Sequence, residues 1–211
     1  DAQAIDAIVA NDVTARWTIY DRFPEIGSQK CITPQPYRWP DFLKLSNLLG
    51  VANQTSIYAI IAIGMTLVII SAGIDLSVGS LVALAAVVTA LILRDWSGGT
   101  QAGMGMVLLA MAAGIGLCAL AGSFNGWLIT QFRMPPFITT LGMMMMANGL
   151  AFRLSGGQSI PQLPPVFFVL GGGITAGIPN PVLLMVLLYA VAHVVMSRTV
   201  FGRYVYAIGG N

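Results

Sequence analysis

A single carboxylate interrupts the longest uncharged part of the sequence. Asp75 lies in the segment S-A-G-I-D-L-S-V-G-S (residues 71–80), and no other Asp, Glu, Lys or Arg occurs between residues 45 and 93. A charge in so apolar a region is costly, so it usually faces a water path, a partner or the interior of a bundle. A second interpretation is that Asp75 caps a helix beginning near Leu76, because D-L-S-V-G has the form of a helix start. The two interpretations are compatible.

Other reactive side chains are scarce after residue 44. Asp75 and Asp95 are the only acids there, and His193 is the only histidine in the chain. Acid–base catalysis needs positioned titratable pairs, and proton relays need chains of ionisable groups, so the sequence disfavours an intramembrane enzyme and proton-coupled transport. The sequence has no G-x-x-x-x-G-K-[ST], no H-E-x-x-H and no paired Cys/His set. We therefore predict no metal site, no cofactor and no enzymatic activity in this chain.

The elements that carry Asp75 are predicted to be membrane-spanning helices. Of the 211 residues, 56% are hydrophobic and 9% are charged, whereas a soluble domain carries about 25% charged residues. Eleven of the eighteen charged residues fall within residues 1–44. We predict a polar segment over residues 1–44, with a short helix over residues 2–10, followed by an all-α membrane domain over residues 45–211. The formal net charge of +2 is too small to indicate a nucleic-acid partner.

Five apolar runs are long enough to cross a bilayer, since a spanning helix needs about 20 residues. They cover residues 48–71, 76–93, 104–121, 137–152 and 181–196. Gly114 and Gly116 predict close helix packing of the third run. A separate short helix is expected over residues 125–132, and a re-entrant or surface piece near residues 166–170. The sequence thus predicts a polytopic helical bundle with about five spanning helices plus short or re-entrant ones.

The parity of five spans divides the connecting segments between two sides of the membrane. Residues 1–44 and the loops at 94–103 and 153–181 lie on one side. The Asp75 turn, the Arg133 loop and the tail after Arg198 lie on the other. Long segments do not count in the positive-inside rule, so residues 1–44 are set aside. The remaining segments carry a slight excess of Arg on the Asp75 side, which assigns that side to the cytoplasm. Residues 1–44 are therefore predicted to be extracytoplasmic, in a multi-pass protein of the plasma membrane.

Four segments in register carry a resemblance to a known family. They read G-M-T-L-V-I-I-S-A-G-I-D-L-S-V-G-S (64–80), N-G-W-L-I-T-Q-F-R-M-P-P-F-I-T-T-L-G-M-M (125–144), G-G-Q-S-I-P (156–161) and R-T-V-F-G-R-Y-V-Y-A-I-G-G-N (198–211). The chain from residue 46 onward resembles the permease subunits of ribose/xylose-type ABC sugar importers. This resemblance implies a fold similar to that of the vitamin B12 importer permease. Permeases of the family are longer, so we expect this chain to be about the first half of one, incomplete at the C-terminus.

The resemblance also implies partners and a cargo. A second permease copy, a cytoplasmic ATP-binding-cassette ATPase and an extracytoplasmic sugar-binding protein are expected, with a monosaccharide as cargo. Nucleosides, autoinducers and branched-chain amino acids are alternative cargoes of related permeases. A passive channel or membrane scaffold subunit is the alternative from another functional class. Within the permease interpretation, we assign Asp75, Ser77 and Asn125 to the translocation path or its gating turn.

The tail over residues 197–211 is amphipathic and basic. We predict that Arg203, Tyr204, Tyr206 and the Gly209-Gly210 pair form the approach to the ATPase docking surface. Arg203 offers planar donors to carboxylates, tyrosines are enriched at protein interfaces, and glycines allow a sharp chain turn. The alternative is that Arg198 and Arg203 only anchor the last span at anionic headgroups.

Overall fold

The structure, a computed structural model, describes residues 7–11, 14, 30–33 and 41–210, and the chain divides into units at residues 1–47 and 48–211. In the first unit, β1 (Ala7–Val9) pairs in parallel with β2 (Lys30–Ile32). The helix predicted over residues 2–10 is therefore wrong at residues 7–9, because β-branched Ile8 and Val9 favour a strand once a partner strand is present. Residues 2–6 lie outside the described part.

Seven α-helices lie within residues 45–210. They are α1 (Leu45–Ile70), α2 (Val78–Leu91), which continues as a π-helical turn over Ile92–Trp96, α3 (Met104–Phe132), α4 (Pro136–Ser155), α5 (Pro165–Gly172), α6 (Asn180–Arg198) and α7 (Val200–Gly209). Single turns of 3-10 helix occur at Asp41–Leu43 and Gly99–Gln101. The helices α1, α2, α3, α4 and α6 are long and apolar enough to cross a membrane. The predicted all-α, multi-pass membrane protein is confirmed.

The third spanning helix is longer than predicted. Residues 122–132 continue α3 and do not form a separate helix. A glycine inside a helix costs only about 1 kcal/mol, so Gly122 and Gly126 do not end it. The helix stops at Arg133, which has a positive φ of 54° and precedes the prolines at 135 and 136. A residue before proline is pushed away from helical backbone angles, which fixes this end.

A short hairpin joins α5 to α6. Strands β3 (Ile174–Thr175) and β4 (Ile178–Pro179) pair antiparallel around Ala176 and Gly177, both of which have positive φ. Two positive φ values in a two-residue loop match the twist of antiparallel strands. Just beyond the hairpin, the Asn180 amide donates to the Val169 carbonyl of α5 at 2.7 Å. The predicted irregular connection thus contains α5, which is too short to span a bilayer, and this hairpin.

The core of the bundle surrounds α2. Leu81 and Leu84 of α2 pack with Ala147 and Ala151 of α4, and a second cluster joins Leu93 to Ala102, Val107 and Ala110. Gly114 allows the close approach of α3, because a Cβ there would lie 2.6 Å from Thr89 Oγ1. Gly116 has nothing within 4 Å of its Cβ position. Of the two glycines predicted to allow close packing, Gly114 does so within this chain.

Hydrogen bonds fix the directions of the three central helices. Thr89 Oγ1 donates to the Ala110 carbonyl at 3.3 Å, and Cys118 Sγ donates to the Leu81 carbonyl at 3.5 Å, so α2 and α3 are antiparallel. Thr140 of α4 donates to the Ile74 carbonyl, just before α2, so α2 and α4 begin at the same end of the bundle. We call this end, where residues 71–77 connect α1 to α2, the Asp75 end.

Candidate functional site

The turn that carries Asp75 begins with a residue in a disfavoured backbone conformation. Ala72 has a φ of 59°, and its N–H donates to the Ile69 carbonyl at 3.0 Å. Gly73 N–H then donates to the Val68 carbonyl at 2.9 Å. These two bonds form the usual left-handed helix ending, in which glycine normally occupies the position held here by Ala72. The backbone of α1 therefore reverses immediately before Asp75.

The Asp75 carboxylate organises the entry to α2. Its Oδ1 accepts from the backbone N–H of Ser77 at 2.7 Å and from Ser77 Oγ at 2.6 Å. Ser77 is fully buried, and its carbonyl accepts the first helical bond, from Leu81 N–H at 2.9 Å. The helix begins at Val78, two residues later than expected, and Ser77 occupies the N-cap position without a side-chain cap bond, so the Asp75 carboxylate closes the turn just before the helix and does not cap it. Asp75 itself is half-buried and forms no ion pair within the described residues.

Asn125 lies on the face of α3 that packs on α2. It is only 4% exposed, and neither Oδ1 nor Nδ2 has a hydrogen-bond partner among the described residues. Because α2 and α3 are antiparallel, with Thr89 beside Ala110 and Leu81 beside Cys118, Asn125 lies level with the start of α2. The structure thus brings Asp75 and Ser77 into contact and places Asn125 at the same end of the bundle.

Three further buried hydroxyls at the Asp75 end were not predicted from the sequence. Ser80 Oγ donates to the Ser77 carbonyl at 2.7 Å, and Thr139 and Thr140 lie in the first turns of α4. Thr140, Ala147 and Ala151 form a stripe of small buried residues along α4. Thr140 and Ala147 are two helical turns apart, and Ala147 and Ala151 are one turn apart, so the three residues lie on one face of the helix. This spacing in the sequence could have indicated that Thr140 faces the core. The Asp75 end is therefore polar inside, in contrast to the apolar clusters farther along α2.

The tail forms a helix with two distinct faces. Thr199 caps it, accepting from Gly202 N–H at 3.4 Å, and Gly202 and Val205 are buried. A Cβ at Gly202 would overlap the Met196 carbonyl, so α7 packs closely on the end of α6. Arg203, Tyr204 and Tyr206 are exposed. The residues predicted for docking are thus accessible in this chain.

The two glycines at the end of α7 have different surroundings. The Cα of Gly209 faces the carbonyl of Ile70, the last residue of α1, and a Cβ there would overlap that oxygen. Gly210 has φ −89° and ψ 1°, angles that other residues adopt as well. The glycine requirement observed in this pair therefore comes from the contact between α7 and α1 at Gly209.

A cavity of about 620 Å³ lies between α1, α6 and α7. Apolar side chains such as Ile63 and Met185 form most of its wall, and Thr66, Tyr189, His193 and Tyr206 supply polar groups. His193 is exposed in the chain and lies near the C-terminal end of α6. Asp75, Ser77 and Asn125 do not line this cavity.

Metal-binding side chains do not cluster in the described ranges. Within residues 7–11, 14, 30–33 and 41–210, no three His, Cys, Asp or Glu side chains come together. The arrangement at the Asp75 end offers hydrogen-bonding groups and one negative charge. It holds the backbone of the turn in a defined conformation through the bonds from Ser77 to Asp75.

Comparisons with known proteins agree with the resemblance in the sequence. The ribose import permease protein RbsC of Escherichia coli K12 is 38% identical over 176 residues, covering 82% of this chain and 52% of the relative. RbsC of Bacillus subtilis is 40% identical over 174 residues, with the same two shares. The galactofuranose transporter permease protein YtfT of Escherichia coli K12 is 33% identical over 180 residues, covering 83% of this chain and 50% of the relative.

This chain spans about half the length of those relatives. No solved structure matches it. The family model described as "Branched-chain amino acid transport system / permease component" matches residues 47–211, which include all seven helices except the first two residues of α1. The chain therefore belongs to this family of transport permeases.

Proposed function

We propose that the chain forms part of the membrane-spanning permease of an ATP-driven importer, and that its cargo is a monosaccharide. The observation that carries this proposal is the identity of 38–40% to two ribose import permeases across the spanning helices. A galactofuranose transporter permease and an L-arabinose permease also match, at 33% and 34%. A branched-chain amino acid is the second candidate cargo, because the description of the matching family names it.

Energy for import would come from a partner. The chain carries no nucleotide-cradling loop, and ATP hydrolysis is assigned to a cytoplasmic ATP-binding-cassette subunit. An extracytoplasmic binding protein would deliver the sugar, and a second permease copy would complete the path. We place residues 1–44 outside the cell and the Asp75 end in the cytoplasm of a bacterial cell, in line with span parity and the Arg bias.

The exposed face of α7 is proposed as the approach to the ATPase. Arg203, Tyr204 and Tyr206 present a cation and two amphipathic rings, the side-chain types that interfaces favour. No acidic residue occurs after Asp95 in this chain, so residues 96–211 cannot neutralise Arg203. A carboxylate on a partner would do so with planar, paired hydrogen bonds.

The contacts of α7 provide a route from this surface to the proposed gating turn. Gly209 lies against Ile70, and residues 71–77 follow directly, so displacement of α7 would act on the end of α1. The turn then leads through Asp75 and Ser77 into α2. We propose that this connection transmits the ATPase cycle to the polar Asp75 end, with Asn125 on the facing helix as a further member of the gate.

Uptake by the reconstituted transporter tests the proposed function. The permease expressed from its own gene is placed in liposomes with its ATPase and binding protein, and radiolabelled ribose, arabinose, adenosine and leucine are supplied in turn. We expect ATP-dependent uptake of a pentose. Uptake of leucine alone would favour a branched-chain amino acid as the cargo. Sugar uptake that proceeds equally well without ATP would favour a passive channel.

A further inference from the structure

One carbonyl in the turn between α1 and α2 has its hydrogen bond supplied from another helix. The Ile74 carbonyl accepts from Thr140 Oγ1 at 3.3 Å and receives no other hydrogen bond within residues 41–210. A backbone carbonyl is a strong acceptor that is normally paired with protein or with water, and here the partner is a buried hydroxyl. The hydroxyl of Thr140 therefore supplies a hydrogen bond to the carbonyl of Ile74, the residue directly before Asp75.

The other polar contacts of this turn are internal. Asp75 Oδ1 binds Ser77 N–H and Oγ, and Ser71 Oγ donates to the Val68 carbonyl at 2.9 Å. These bonds give the turn its shape but do not fix its position relative to α4. Thr140 is 3% exposed and stands one turn beyond the prolines that start α4, so it joins the turn before α2 to the segment before α4 at the Asp75 end.

The Thr140 hydroxyl is shared between acceptors. Besides the Ile74 carbonyl, Oγ1 approaches the Pro136 carbonyl at 2.9 Å and the Phe137 carbonyl at 3.3 Å, both in its own helix. A hydroxyl has one proton to donate, so a bond to Ile74 competes with a bond inside α4. The tie between α4 and the turn can therefore be released without leaving the hydroxyl unpaired.

We propose that Thr140 is a positioning residue, whose hydroxyl holds the Ile74 carbonyl so that the start of α4 fixes the turn carrying Asp75. The role in transport rests on the proposed function, whereas the positional role does not. Thr139 provides a matched control, because it is the adjacent residue, is 6% exposed, and donates only to Pro135 of its own helix at 3.3 Å.

Thiol labelling of the permease in nanodiscs measures the position of the turn. Cys31 and Cys118 are replaced by Ser, and a single reporter is introduced either in the turn, as Leu76→Cys, or at the other end of the bundle, as Thr100→Cys. We expect Thr140→Val to raise the labelling rate of the Leu76 reporter at least threefold and to leave the Thr100 reporter unchanged. Thr139→Val should change neither rate, and Thr140→Ser, which keeps the hydroxyl, should restore the original rate.

The proposal would be overturned if Thr140→Val and Thr139→Val changed the labelling rates equally, if Thr140→Val raised the labelling rate at both reporters, or if it left the labelling rate of the Leu76 reporter unchanged. If Thr140→Val does not accumulate, Thr140→Ala with Thr139→Ala as its control tests the same point. Pentose uptake is then measured without reporters, and we expect at least a fivefold loss for Thr140→Val that Thr140→Ser largely recovers. The labelling needs neither cargo nor ATPase, so it stays informative even if the assigned cargo is wrong, and normal uptake by Thr140→Val would overturn the role in transport.

Discussion

Gly209 packs directly against the carbonyl oxygen of Ile70, so the last residue of α7 touches the last residue of α1. The two residues are far apart in sequence, and α1 has only Ser56 buried along its length. This contact thus joins the tail to the end of the helix that leads into the Asp75 turn.

Gly209→Ala should separate α7 from α1. A Cβ at this site overlaps a backbone oxygen that cannot rotate away, and overpacking of this kind costs about 1–3 kcal/mol. We expect a lower melting temperature of the purified permease and weaker stimulation of ATP hydrolysis by loaded binding protein. Gly210→Ala is the control, since its Cβ would lie 3.2 Å from the Tyr206 carbonyl at ordinary backbone angles. Equal behaviour of the two variants would contradict the assigned contact.

Ala72→Gly should stabilise the permease. Ala72 adopts a left-handed conformation that costs a non-glycine residue about 1 kcal/mol or more, and glycine removes that cost. Ala86→Gly, at an exposed position inside α2, should have the opposite effect and lower the free energy of unfolding by about 1 kcal/mol. Thermal unfolding followed by fluorescence measures both effects. A lower melting temperature for Ala72→Gly would argue against the backbone geometry described for this turn.

Substitutions at Asp75 separate the shape of the turn from its charge. Asp75→Ala removes both bonds to Ser77 and should cost about 1 kcal/mol, which a bundle survives. Asp75→Asn keeps an oxygen that accepts from Ser77 but removes the charge. We expect both variants to insert at normal abundance and to lose transport, as measured by immunoblot and pentose uptake. Normal transport by Asp75→Asn would assign the role to the shape of the turn, and normal transport by both would leave Asp75 without a function in gating.

Reversal of charge at Arg203 distinguishes docking from membrane anchoring. If α7 docks the ATPase, Arg203→Glu should leave abundance unchanged, while the ATPase no longer co-purifies. Arg153→Glu, in the last turn of α4 at the opposite end of the bundle, serves as the control for a general effect of the charge. Reduced abundance with intact co-purification of the remaining protein would support anchoring at headgroups instead.

Sidedness can be measured with single cysteines at exposed positions in a background lacking Cys31 and Cys118. Thr100→Cys lies between α2 and α3, and Gln131→Cys lies near the end of α3, at the Asp75 end. An impermeant thiol reagent added to intact cells should modify the first, and the second only after permeabilisation, because parity and the Arg bias place the Asp75 end inside. The reverse pattern would invert the orientation.

The spanning helices were predictable because length and apolar composition alone determine them. The runs at 137–152 and 181–196 correspond to α4 and α6 within a few residues. The end of α3 was missed because a Gly-x-x-x-Gly pair resembles a break, whereas backbone hydrogen bonds in an apolar environment keep a helix intact. The strand at Ala7–Val9 was missed because its partner at residues 30–32 is remote in sequence.

The candidate site was predictable only in part. Asp75 could be found from its isolation among apolar residues, and its contact with Ser77 is local. Ser80 was missed because a hydroxyl in a spanning helix often bonds its own backbone, and the small-residue spacing that places Thr140 on the core face does not identify the Ile74 carbonyl as its partner. The contact of Gly209 with Ile70 depends on how distant helices pack, which residue types in the tail do not determine.

The unequal lengths of α2 and α3 have a consequence for the surrounding lipid. The 19 residues from Val78 to Trp96 span about 28 Å, close to the thickness of the hydrocarbon layer, whereas the 29 residues of α3 reach about 43 Å. Since Asn125 is level with the start of α2, the last two turns of α3 extend beyond it and carry Trp127 and Phe132, whose rings meet edge to face, while Phe124 stacks on Trp127 from just before Asn125. Trp side chains are enriched at the membrane–water interface, so Trp127 favours the headgroup level for this end of α3. Because α3 is longer than the hydrocarbon layer is thick, shorter acyl chains would increase its hydrophobic mismatch and tilt it further against α2, which makes membrane thickness a physical variable acting on the Asp75 end.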